Sequence, residues 1–103
     1  MKASVTATCI SEHKGTKKHP VPSVMLEKDY GILGDAHAGN WHRQVSLLPC
    51  ESVDTMRAEL PDLKPGAFAE NILTEGVMLK ELPVGTVLEI NSVVLEITQI
   101  GKK

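Results

Sequence analysis

The chain has 103 residues, which is one domain with a modest core. Hydrophobic residues make up 42% and charged residues 23%, as in ordinary globular proteins, and a net charge of -2 gives no global electrostatic case for binding nucleic acid. No apolar run reaches the roughly 18–20 residues of a membrane span, the opening MKASVTATCISEHKG has no signal-peptide core, and Cys9 and Cys50 make no disulfide framework, so a cytoplasmic protein with reduced thiols is expected.

Residues 3–10, ASVTATCI, alternate and are rich in β-branched types, which predicts a strand. SEHKGTKKHP follows as a basic loop punctuated by Gly15 and Pro20. VPSVMLEKDY reads as a second strand beginning after Pro22. GILGDAHAGNWHR carries three glycines and breaks regular structure, and QVSLL is a short buried strand. Pro49 then sets up a helix, ESVDTMRAEL, with Val53, Met56 and Leu60 on one face. Glu51 stands in its first turn and Arg57 deeper, the order the helix dipole favours, and Pro61 ends it. LKPGAF is a turn centred on Pro65-Gly66, AENIL a short strand, and TEG a further turn. LPVGTVLEI and VVLEITQI form two β-runs joined at Asn91-Ser92, a pair suited to a tight hairpin. The sum is about six strands and one helix without strand–helix alternation, hence a mainly β, barrel-like domain rather than a doubly wound sheet.

The stretch GDAHAGNWHRQ, residues 34–44, gathers Asp35, His37, His42 and Arg43 in a segment with neither helix nor strand rhythm. His37 and His42 are five apart, a spacing that aligns two rings on neither a helix nor a strand, and no CxxC or HExxH pattern supports zinc. No metal site is assigned. An anion site fits better. Gly31, Gly34 and Gly39 let backbone amides approach a ligand. Arg43 offers a planar fork for phosphate or carboxylate, and both histidines can donate hydrogen bonds. A second basic cluster, Lys14, Lys17, Lys18 and His19, lies on the earlier glycine-containing loop. The structural alternative is that Trp41 anchors the loop, Asp35 caps a turn, Arg43 pairs with a carboxylate and the lysines are solvated. Composition alone leaves the two readings open.

GDAHAGNWHRQVSLL resembles the signature stretch of MOSC domains, named for the C-terminal domain of molybdenum-cofactor sulfurases. FAENILTEG (68–76), the hairpin LPVGTVLEI and VVLEITQIGK, and the basic loop SEHKGTKKHP resemble further segments of the small single-domain bacterial members. The resemblance covers almost the whole chain and implies one MOSC-like domain over residues 1–103, a β-barrel with one short helix. It implies binding of the molybdenum cofactor, a phosphate-bearing pterin that holds its metal through a dithiolene. It further implies a place in sulfur carriage or transfer for metal–sulfur cluster or cofactor assembly. On this resemblance Lys14, Lys17, Lys18, His37, His42 and Arg43 hold anionic groups, Gly34 and Gly39 open the backbone to the ligand, Asp35 orients a histidine, and Asn71 contacts the ring edge. For Asn71 the alternative is a turn cap, and for Glu70 a pairing with Arg43 or a lysine. The partners implied are the anionic cofactor and proteins of cofactor biosynthesis or sulfurase type. Family sulfurases fuse this domain to a pyridoxal-phosphate enzyme, yet no lysine here has a context for a Schiff base.

One departure stands out. In the family the segment after Gln-Ile-Gly-Lys continues to a cysteine, the proposed sulfur carrier or molybdenum ligand, and then to final strands. Here Gly101-Lys102-Lys103 closes the sequence, so the expectation is an incomplete barrel, apparently truncated at its C-terminus, whether naturally or not. Cys9, in strand alternation, reads as a small buried hydrophobe. Cys50, just before the helix, is the better reactive candidate because a helix N-terminus favours thiolate, although Glu51 opposes it. No catalytic residue is assigned, and whether the chain is an enzyme stays open. The alternative to the sulfur-transfer reading is a non-catalytic anion-binding or assembly module. Missing final strands leave VVLEITQI as an exposed edge, which predicts a homo-oligomer.

Overall fold

The alternation at the start of the chain becomes β1 (Ser4–Ile10), whose Cys9 is wholly buried. The structure is a computed structural model, and it describes residues 4–39, 41, 44–90 and 93–100. β1 lies inside a four-stranded sheet, between β2 (His19–Val21) and β6 (Ile72–Glu75), with β5 (Leu47–Pro49) on the far side of β6. β1 runs antiparallel to β2 through Thr8↔Val21, Cys9↔Pro20 and Ile10↔His19. Pro20 has no N–H to donate, which suits a strand at the sheet edge. β1 is also antiparallel to β6, with a register shift between Val5 and Ala7.

β5 and β6 are parallel, pairing Leu47↔Ile72, Leu48↔Leu73 and Pro49↔Thr74. Parallel neighbours need a crossover, supplied here by α1 (Cys50–Arg57) and the loop that follows it. The helix is shorter than the expected 51–60, and only Val53 of its apolar trio is buried, with Met56 and Leu60 exposed. The expected three-residue face is corrected for a physical reason. α1 packs on β5 and β6 through Val53, and the helix ends at Arg57, whose Nε donates to the Leu63 carbonyl at 3.3 Å.

The run 21–30 does not form one strand. It divides into the end of β2 and β3 (Leu26–Glu27), which pairs antiparallel with β4 (Gly31–Ile32) in a separate two-stranded sheet. Tyr30 N–H closes the turn onto the Glu27 carbonyl at 3.2 Å, and Asp29 takes a φ of 57° there. A short 3-10 turn, Leu79–Glu81, precedes the hairpin of β7 (Val87–Ile90) and β8 (Val93–Glu96). Ile90 pairs with Val93 as a tight hairpin requires, while Asn91 and Ser92 lie outside the described residues. Leu88, Ile90, Val93 and Leu95 share the sheltered face, and Val87 and Val94 point outward at 61% exposure each.

The core is Cys9, Ile32, Val53, Ile72, Leu73 and Val77. The fold is mainly β with one short helix, as expected, and among the described residues the strands close no barrel. The hairpin pairs with no other described strand. No described helix is long and apolar enough to cross a membrane.

Candidate functional site

Lys18 does not point to solvent. Its Nζ lies 2.7 Å from Asp35 Oδ1, and the two side chains are 1% and 0% exposed. The same ammonium reaches Ser11 Oγ at 3.3 Å and His37 Nδ1 at 3.1 Å. Asp35 is held from the backbone too: Oδ1 accepts the Ser11 N–H at 3.0 Å and Oδ2 the His37 N–H at 3.1 Å. Burial raises the Asp35 pKa, but Lys18 and the two amides outweigh it, so the carboxyl sits below its usual range. A buried charge survives only when it is paired and hydrogen-bonded like this.

The loop before β6 clamps Lys18 from behind. Gly66, at φ +94°, lies so close to the Lys18 carbonyl that any Cβ would overlap that backbone. Glu70 fixes the loop by accepting the Gly66 N–H at 2.7 Å and the Phe68 N–H at 3.0 Å. The carboxylate thus binds the backbone of its own loop, while Arg43, one of the partners considered for it, lies outside the described residues. Asn71 ties the sheet to this polar cluster. Its Nδ2 donates to the Cys9 carbonyl and its Oδ1 accepts the Ser46 N–H, both at 3.0 Å.

Beside the network opens a cleft of about 1400 Å³ between the β3–β4 turn, the segment around β5 and the β7–β8 hairpin. His37 and Trp41 line it, and Leu47, Leu88 and Leu95 give it apolar walls. The indole Nε1–H donates to the His37 carbonyl at 2.8 Å, so the two residues are held as a unit. The charged lining is mixed: Lys28 and Lys80 stand with Glu27, Asp29, Glu51 and Glu96.

The expected site residues separate into groups. Lys18, Asp35 and His37 come together, with only His37 on the cleft lining. Asn71 reaches the cleft floor with both ends of its amide committed to backbone. Lys14 and Lys17 are exposed on the 11–18 loop and do not line the cleft. Gly34 and Gly39 take φ values of +87° and +148°, and a Cβ on Gly34 would meet nothing within 4 Å, leaving that backbone accessible. His42 and Arg43 lie outside the described residues. Sequence reasoning missed Lys28, absorbed into a presumed strand; the Lys28-Asp29-Tyr30-Gly31 run, with turn residues Asp and Gly, was the signal that it caps a hairpin at the cleft. Gln44, also on the lining, carried no such signal.

Neither cysteine is poised as a thiolate. Burial, with the Glu70 charge second and Lys18 opposing, pushes the Cys9 thiol up to about 11. Cys50 opens α1, but desolvation and the charges of Glu51, Glu75 and Asp54 raise its pKa. Its Sγ lies 3.8 Å from both Glu51 Oε1 and Glu75 Oε2, so the local carboxylates outweigh the helix terminus. Among the described residues no three or more His, Cys, Asp or Glu side chains are arranged to hold a metal.

The family model of the MOSC domain matches residues 34–100. The chain belongs to the MOSC domain family. The matched MOSC segment starts at Gly34, directly before Asp35, and runs through β5, α1, β6 and the hairpin, so it supplies most of the cleft. β1 and Lys18 precede it. No curated protein and no solved structure matches this MOSC chain significantly.

Proposed function

We propose that the cleft beside His37 and Trp41 binds a molybdenum–pterin cofactor, and that the chain serves a pathway of molybdenum-cofactor or metal–sulfur assembly. One observation carries the reading: the MOSC-matched segment folds so that its loop residues His37 and Trp41 stand together on the lining of a cleft with apolar walls. The residues present suit the group. A planar pterin fits between apolar walls, and its phosphate finds a cation in Lys28 and a hydrogen-bonding ring in His37. When bound, the cofactor supplies the metal and its sulfur ligands; the protein supplies position and shelter from water.

A second reading, a cofactor-binding or assembly module without sulfur chemistry of its own, is favoured by the surroundings of the thiols, since burial and neighbouring carboxylates raise the pKa of both Cys9 and Cys50. Both readings share one test. Trp41 is the only tryptophan, so titration with molybdopterin-type cofactor is followed by its fluorescence. Saturable quenching is expected, with Arg43→Ala and Lys28→Ala each weakening binding about tenfold, or about 1.4 kcal/mol. A folded chain whose fluorescence does not respond refutes the cofactor reading.

A further inference from the structure

We infer that Lys18 is a positioning residue that holds His37 as the Nε2–H tautomer, so that the ring enters the cleft as a neutral hydrogen-bond donor and not as a base or metal ligand. The argument is one of valence. A lysine ammonium has three donors and no acceptor. Its pairing with Asp35 Oδ1 at 2.7 Å keeps Lys18 charged in a place with 1% exposure. The same nitrogen lies 3.1 Å from His37 Nδ1. That contact is a hydrogen bond only if Nδ1 offers its lone pair, and an imidazole with a lone pair on Nδ1 is neutral and carries its proton on Nε2.

Asp35 alone would select the opposite tautomer. Its Oδ2 stands 4.0 Å from the same Nδ1, and a carboxylate beside a ring nitrogen draws a proton to it. Two things turn the choice around. Lys18 is nearer, and Oδ2 is already occupied by the His37 backbone N–H at 3.1 Å. The buried cation thus decides which atom of a half-exposed ring carries the proton. The consequence is chemical: with Nδ1 committed, the proton on Nε2 has nowhere to move, so Nε2 can neither take up a substrate proton nor bind a metal. As an N–H it can only donate. That consequence for ligand binding rests on the cleft proposed above; the tautomer does not.

The test needs no cofactor, so its failure and the failure of the cofactor reading are distinct. Nitrogen-15 correlation spectra of the wild-type chain at mildly alkaline pH report both ring nitrogens of His37. Nδ1 is expected in the unprotonated range and Nε2 in the protonated range. Lys18→Met is expected to move the proton to Nδ1, facing Asp35, and Lys18→Arg to restore the original pattern. Zn²⁺ added to the wild type is expected to shift neither nitrogen. Protonated Nδ1 in the wild type overturns the inference, even if Lys18→Met fails to fold. So does an unchanged tautomer in a folded Lys18→Met chain, or a zinc-induced shift of Nε2.

Discussion

The two sides of the cleft are held together by different physics. On the sheet side, Asn71 bonds to Cys9 and Ser46, Glu70 to Gly66 and Phe68, and Asp35 to Lys18, Ser11 and His37, all through specific polar atoms. On the hairpin side, β7 and β8 pair with each other and with no other described strand, and Val87 and Val94 stand in solvent. A polar network in a sheltered place is unforgiving, because each group that loses its partner keeps its desolvation cost. An apolar ribbon tolerates change at its outward positions. The MOSC domain thus sets a fixed wall carrying His37 against a wall that depends on general apolar contact.

Lys18→Met should break this asymmetry most severely. It leaves Asp35 buried without its cation, and removing one partner of a buried pair costs about 3–5 kcal/mol. That is a large part of the stability of a small domain. Urea unfolding followed by Trp41 fluorescence checks it, and a loss under about 1 kcal/mol would show that the pair is solvated. Acid should act next. The folded-state pKa of Asp35 lies below its unfolded value, so its contribution is complete above the unfolded pKa and is lost as pH falls through the folded one. Unfolding midpoints should therefore drop below about pH 4, and Asp35→Asn should flatten that dependence. The smallest effect belongs to the hairpin: Val87→Thr and Val94→Thr should each change stability by no more than about 0.5 kcal/mol. A larger loss in thermal melts would reveal that the outward face is covered in solution.

The same contrast explains what could be read from the sequence. Alternation marked β1, and the spacing of the final β-runs marked the hairpin, because both signals are local. The helix was legible in its start and not in its length, since Met56 and Leu60 follow helical spacing but stay exposed, and no burial rewards continuing the helix past Arg57. The clustering of Asp35 and His37 marked the loop that the structure folds onto Lys18. The inward turn of Lys18 was hidden, because Lys17 and Lys18 are chemically alike and only Asp35, 17 residues away, distinguishes them. For Glu70 a cation partner was one of two alternatives, and neither pointed to the backbone amides of the turn that it closes. The cleft itself could not be read, as its walls come from stretches between Leu26 and Ile100 that share no pattern.

The bond from Asn71 to the Cys9 carbonyl spans 62 positions along the chain. Contacts this distant must offset the entropy of closing a long loop before they return any stability, and folds built on them form slowly. β1 has only β2 beside it until β6 has been synthesised, so its second edge must wait for the later half of the chain to leave the ribosome. The strand that Asn71 introduces therefore also sets the moment at which the nascent chain can first complete its four-stranded sheet.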